Sequence, residues 1–283
     1  MRSLTTIIFF LFCFNLASQE RENLPNLNDI TLSSSDDELK EIEQKLESED
    51  PTFRFKFLSE NDVAFFLAAQ KRRPQNFIWI YLINMNFAGE RYNARQLENE
   101  NERKILFENA LQYLTESLKT LENITLTDSN DSINQVYNYY LGTLRDDVAF
   151  AAMGAGDFVR AKQLAKEMLI NNVDTMSFNY GNIIHNANTL LGRVALREND
   201  LKQAKKYLVK SIEVPTTPQL SSFGPSYILA KELLERGEKE IVIEYLDLVA
   251  NLWTNPVSIK SSDSRRMAAN QRKGRSSTTN ERV

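Results

Sequence analysis

The chain has 283 residues, 42% of them apolar and 25% charged, with only nine Gly and seven Pro. This composition is globular and excludes collagen-like, mucin-like and wholly disordered classes. The scarcity of Gly and Pro favours long helices over many tight turns, so the expected fold class is all-α rather than all-β.

The N-terminus reads as a secretory signal spanning residues 1–18. Arg2 precedes an apolar run from Ile7 to Phe14, and Asn15, Leu16, Ala17 and Ser18 follow it, which is the charged start, short apolar middle and small-residue end of such a segment. The expected location is therefore outside the cytoplasm, periplasmic or secreted. The run is well short of the roughly 20 residues that cross a bilayer, and no later segment reaches that length, so no transmembrane segment is expected in the mature chain. Cleavage after Ser18 removes Cys13, the only cysteine, and with it disulfides, thiolate catalysis and zinc–sulfur sites. Phe10, Leu11 and Phe12 before Cys13 do not match a lipid-attachment site. Asn123-Ile124-Thr125 and Asn130-Asp131-Ser132 fit the N-glycosylation acceptor pattern.

The net charge of −4 conceals a separation. Residues 20–50 carry eleven acids against Arg21, Lys40 and Lys45, whereas residues 254–283 carry seven bases against Asp263 and Glu281. Residues 19–50 are thus expected to form an acidic, disordered arm holding one short helix, and residues 254–283 a disordered basic tail. The tail's Arg265, Arg266, Arg272, Lys273 and Arg275 have no interleaved aromatic side chains, so a solvated segment is expected and nucleic acid is not an expected partner.

Helical periodicity recurs through an α-helical domain expected over 51–253. Ser35 and Glu38 form a capping-box pattern ahead of Leu39, Ile42 and Leu46, one face of a short acidic helix that is either docked or loose. A second start lies at Ser59 to Asp62, and Lys71 to Arg73 close that helix before Pro74. Gln75 to Phe87 is apolar nearly all round and must be deeply buried; its aromatic and β-branched residues make a strand the competing assignment. From Arg103 to Glu122 helical spacing returns through Ile105, Leu106, Ala110, Tyr113, Leu114 and Leu118.

An internal repeat marks the second half. Val148, Ala149, Ala152, Met153, Gly156, Asp157, Phe158, Ala161, Ala165 and Leu169 are echoed by Leu191, Gly192, Ala195, Leu196, Asn199, Asp200, Leu201, Ala204, Leu208 and Ile212. They return as Leu229, Ala230, Leu233, Leu234, Gly237, Glu238, Lys239, Val242, Leu246 and Ala250. Each unit reads as a helix, a tight turn and a second helix, with small residues where helices approach closely. Such units cannot bury their apolar faces alone, so stacking into a solenoid is expected.

The pattern resembles the tetratricopeptide repeat (TPR) over about residues 140–253. His185 to Pro218 is the best unit, with Leu191-Gly192 at the family's Leu-Gly pair, Ala204 at its characteristic Ala and Pro215 and Pro218 near its closing proline. Asn188 and Ala195 stand at its Trp- and Tyr-type positions, and the spacings exceed the family's usual ~34 residues. Gly192 to Arg197, Ser222 to Pro225 and Ala230 to Leu234 are similar to segments of uncharacterised exported bacterial repeat proteins, which imply no activity.

The TPR resemblance implies a concave groove built from the first helix of each unit, binding a protein or peptide partner. It puts Asn186, Thr189, Arg193 and Arg197 on that face, joined by Tyr227 and Lys231 from the next unit and Asp146 from the preceding one. Arg193 and Arg197 lie one turn apart, where like charges destabilise a helix by roughly 0.2–0.5 kcal/mol. An acidic partner converts that repulsion to attraction, so a carboxylate or acidic peptide is the implied guest. Neutralisation by Asp200 or Glu198 is the structural alternative.

His185 is the only histidine; without a second one or a thiol it offers no zinc site and no Ser-His-Asp triad, and it reads as a packed or capping residue. No metal ligand set, cofactor motif or catalytic residue is identified, and Gly154-Ala155-Gly156 reads as a helix-ending turn. Two other functional classes compete with the scaffold. A glycan-cleaving envelope enzyme needs a carboxylate, for which Glu116-Ser117 and Glu47-Ser48 match only a dipeptide. A structural subunit of an envelope assembly needs a broad exposed apolar patch.

Overall fold

The structure is a computed structural model that describes residues 33–48, 51–125, 131–171, 179–214 and 217–254. The expected signal and nearly all of the basic tail lie outside these residues. The described elements are α-helices without a strand among them, and none of the helices is long and apolar enough to cross a membrane. The chain divides into two compact units between Asp157 and Phe158, within the span expected as one domain.

The first unit begins with α1 (Asp36–Glu47). Ser35 Oγ accepts from Glu38 N–H at 3.1 Å while Glu38 accepts from Ser35 N–H at 2.9 Å, so two otherwise orphaned donors at the helix start are satisfied. Of the two states open to this short helix, docked or loose, it is docked. Leu39 and Leu46 are fully buried, each contributing about 1.5–3 kcal/mol. Glu43 accepts from Trp79 Nε1 at 2.8 Å and from Arg73 Nε at 2.6 Å, which fixes α1 to the core. Its acidity is partly neutralised there, since Arg72 also pairs with Asp36.

Next come α2 (Pro51–Glu60) and α3 (Val63–Arg72), the latter capped by Asp62 accepting from Phe65 N–H at 3.0 Å. The competing strand over 75–87 is instead the start of α4 (Ile78–Gln96). Trp79, Ile80, Leu82, Ile83 and Phe87 are buried, and the Trp79 ring lies 6.3 Å from Phe57 and 6.1 Å from Phe65. Two long helices, α5 (Glu100–Glu122) and α6 (Asp131–Ala155), pack on each other and against α4. The Phe107 ring sits over Gly154, where a Cβ would come within 2.3 Å of its carbons.

The second unit holds α7 (Phe158–Asn171), α8 (Tyr180–Arg197), α9 (Leu201–Ile212), the short α10 (Pro218–Phe223), α11 (Ile228–Glu235) and α12 (Lys239–Thr254). Helix α8 packs against α7, α9 and α11, and α12 packs against α9 and α11. Leu196, Ala204, Leu208, Leu229, Leu233, Val242, Tyr245 and Val249 share one core.

Equivalent positions of the sequence repeat make the same turn. Asp157, Asp200 and Glu238 donate their N–H to Ala152, Ala195 and Leu233 carbonyls at 2.9, 2.8 and 3.1 Å, and Gly156, Asn199 and Gly237 donate to Met153, Leu196 and Leu234. This is the paired bonding of a Schellman cap, which needs a left-handed residue just past the helix; φ there is 87° at Gly156, 59° at Asn199 and 86° at Gly237. In the second unit a lysine bridge also recurs. Lys162 on α7 reaches Glu198 after α8 at 2.7 Å, and its repeat equivalent Lys205 on α9 reaches Glu238 after α11 at 2.7 Å.

Candidate functional site

Helix α8 carries the residues expected to face a guest. Asn186, Thr189, Arg193 and Arg197 follow helical spacing along it, but their environments differ. Thr189 is buried and faces the core rather than a groove, because the helix is covered on several sides. Asn186 is half-buried. Arg193 Nε and Arg193 NH2 each lie 3.0 Å from Glu232 Oε1, and Arg197 NH2 is 3.4 Å from the same oxygen. The carboxylate that relieves the repulsion of the two arginines thus comes from α11, not from Asp200 or Glu198. Asp200 instead caps α9 by accepting from Gln203 N–H at 3.0 Å.

This arrangement divides the arginines by role. The Arg193 and Glu232 side chains are only 11% and 16% exposed, whereas Arg197 is 38% exposed and Lys231, beside Glu232 on α11, is 75% exposed with Glu235 3.8 Å away. Arg193 is a structural tie, and Arg197 and Lys231 are the cations accessible to solvent. Tyr227, at the start of α11, is exposed and meets Tyr245 edge to face at 6.1 Å. The remaining expected residue, Asp146, lies on α6 in the first unit.

Behind this face His185 joins three segments. Ser226 N–H donates to Nε2 at 2.9 Å, so Nε2 is unprotonated, and Nδ1 donates to the Ser211 carbonyl at 2.7 Å. Burial lowers the histidine pKa below its usual value, outweighing the opposing Ser211 bond. Both ring nitrogens are occupied and the ring is 2% exposed, so His185 holds the fold as a neutral group. Tyr245 OH donates to the Ser226 carbonyl at 3.1 Å, and Thr217 Oγ1 donates to Asn182 Oδ1 at 2.5 Å, extending this polar seam through the core.

Sequence reading missed the first unit's charged cluster. Asp147 is buried 3.7 Å from Arg91, whose guanidinium lies 3.7 Å from the Phe150 ring centre. Burial pushes the carboxyl up to about 8, against the pull of Arg91 and with Asp146 adding to the rise. Tyr113 OH donates to buried Glu90 at 2.6 Å nearby in sequence, on the same two helices that hold Arg91 and Phe107. No periodicity flags such a carboxyl. An open cavity of about 380 Å³ in this unit is lined by both polar and apolar side chains, Lys71, Gln75, Thr120 and Asn123 with Pro74 and Ile124 among them, and does not include Asp147. Glu116, one of the dipeptide candidates, pairs with Lys71 at 3.0 Å, and Ser117 is fully buried.

No protein-family model, curated protein sequence or solved structure matches the chain.

Proposed function

We propose that the chain is an exported, TPR-like helical-repeat scaffold that binds a protein or peptide partner through a concave groove on the first helices of its helix pairs. The observation that carries this reading is the recurrence of one turn at three repeat-equivalent positions, with equivalent lysines reaching an acid in the following turn, since units that stack in register generate a continuous recess. In the second unit the groove presents Arg197, Lys231, Tyr227 and Asn186. Two accessible cations beside an exposed aromatic ring suit an acidic peptide, because a carboxylate gains charge-assisted hydrogen bonds while an apolar neighbour stacks on the tyrosine. Arg193 supports the groove by holding α8 to α11 through Glu232. Of the glycan-cleaving alternative's candidates, Glu116 pairs with Lys71 beside the buried Ser117, and Glu47 accepts from Asn76 at the surface.

Fluorescence anisotropy with a labelled Glu/Asp-rich 15-residue peptide and its Lys-rich counterpart tests this. The acidic peptide binds, salt weakens it, and Arg197→Glu/Lys231→Glu abolishes it. Equal binding of the two peptides, or of the native and doubly substituted proteins, removes the groove assignment.

A further inference from the structure

We propose that residues 255–283 fold back along α12, setting basic side chains on its acidic row and apolar ones on the row beside it. The exposed side chains of α12 fall into two neighbouring rows at helical spacing. Ile243, Leu246 and Ala250 form one, headed by Lys239, and Glu240, Glu244 and Asp247 form the other. The repeat indicates that the apolar row belongs under cover. Leu208 of the second pair is 1% exposed in the core that α11 and α12 complete, whereas its equivalent Leu246 is 47% exposed. Lys162 and Lys205 each reach a carboxylate in the following turn, and their equivalent in the last pair is Ile243, which is 61% exposed. A helical array ends in solution on a polar outer face, so an apolar row on its last helix marks a contact surface.

Charge selects the occupant. Lys239 is the only base in α12, against Glu240, Glu244 and Asp247, and none of these three acids pairs with a cation among the described residues. The last turn of α12 also lacks a basic residue, although the helix dipole favours a cation there. A second copy of this face would set acids against acids. Residues 255–283, outside the described residues, carry seven bases against Asp263 and Glu281 and continue directly from α12 at Thr254. Asn255-Pro256 disfavours a longer helix and favours a reversal of the chain. From Thr254 back to Glu240 is about 21 Å along the helix, which about seven extended residues cover. Val257 and Ile259 thereby come within reach of Leu246 and Ala250, and Lys260, Arg265 and Arg266 within reach of the three acids, with Asp263 left to Lys239. Tethered at the helix end, this segment meets the face at an effective concentration on the order of mM, which a separate basic partner would have to exceed.

Zero-length carbodiimide cross-linking of the full native chain tests this, because it joins a lysine to a carboxylate only where the two touch. At about 2 μM, where association between copies is suppressed, the monomer band contains Lys260 or Lys273 joined to Glu240, Glu244 or Asp247. Salt at about 0.5 M, which screens charges beyond a few ångströms, removes these links. Trypsin gives a second readout. It cuts after Arg265, Arg266 and Arg272 about tenfold more slowly in the native chain than in Glu240→Gln/Glu244→Gln/Asp247→Asn, whose helical circular dichroism spectrum is unchanged. A monomer band without these links overturns the proposal, as do links confined to a dimer band, which would give the face to a second copy. Equal cleavage of the native and neutralised chains overturns it as well.

Discussion

Arg193 on α8 and Glu232 on α11 meet at 3.0 Å through two guanidinium nitrogens, although 39 residues separate them in the chain. The pair joins the first helices of two successive repeats and is largely withdrawn from water. Truncating Arg193 leaves the largely buried Glu232 carboxylate with only the longer contact to the more exposed Arg197 at 3.4 Å, and the cost of that under-compensated charge exceeds what the pair itself contributes. Arg193→Ala is therefore expected to lower stability by about 2–3 kcal/mol in urea unfolding, and Arg193→Met/Glu232→Leu by clearly less. Equal losses for the single and double variants would contradict the buried tie.

His185 makes the second unit acid-sensitive. Its pKa is lowered in the fold, so between that value and the ordinary ~6.5 the unfolded chain binds a proton that the native chain does not. Stability then rises with pH in this window and falls as pH drops below about 6.5, by at most about 1.4 kcal/mol per pH unit for one linked proton. Protonation at Nε2 replaces an acceptor with a donor and breaks the Ser226 bond. His185→Gln should flatten the profile between pH 5 and 6.5 in chemical denaturation; an unchanged slope would contradict this.

Asp147 acts in the opposite direction. Its carboxyl is pushed up to about 8 by burial, so between about pH 4 and 8 the native chain holds a proton that the unfolded chain releases, and stability falls as pH rises. Asp147→Asn keeps the shape without the ionisation. It should raise the melting temperature most at pH 8, less at pH 5 and least below pH 4, in calorimetry of the full chain.

The repeat turn can be tested at Asn199, whose φ of 59° lies in the left-handed region. Asn199→Gly should be neutral or mildly stabilising, and Asn199→Val should cost about 1–2 kcal/mol because a β-branched side chain is strained there. At the adjoining helix crossing, a Cβ on Gly192 would lie 2.3 Å from Leu229 Cδ2 and 3.2 Å from Tyr207 Cβ. Gly192→Ala should therefore cost about 1–3 kcal/mol despite its better helix propensity. Thermal unfolding that ranks Asn199→Val and Gly192→Ala with the native chain would contradict both packing arguments.

The local signals were legible in the sequence because they are short-range chemistry. Ser35 with Glu38 and Asp62 before Val63 announce helix starts whose capping bonds are present, and Gly156, Asn199 and Gly237 announce turns that form at those positions. Pro51 to Glu60 was not legible: Phe53, Phe55 and Phe57 alternate with a period of two, yet the segment is helical, with Phe53 stacked on Phe57 and Phe57 packed against Phe65 and Trp79. The partner of Arg193 and Arg197 was misplaced for a related reason. Local spacing offered Glu198 and Asp200, whereas tertiary packing supplies Glu232. Thr189 likewise satisfies the spacing of a groove residue and is buried, since one helical stripe in a layered array can face two neighbours. Asp147 carries no pattern at all.

Partner capture tests the scaffold reading most directly. Cells producing the native chain or its Arg197→Glu/Lys231→Glu form are cross-linked, and the chain is purified from the whole culture, cells and medium together. Both substituted positions are solvent-accessible, so the fold persists while the groove reverses charge. The account predicts a defined partner, acidic at its contact segment, that is recovered with the native chain and lost with the variant. Recovery of the same partner in equal amount with both forms would contradict it.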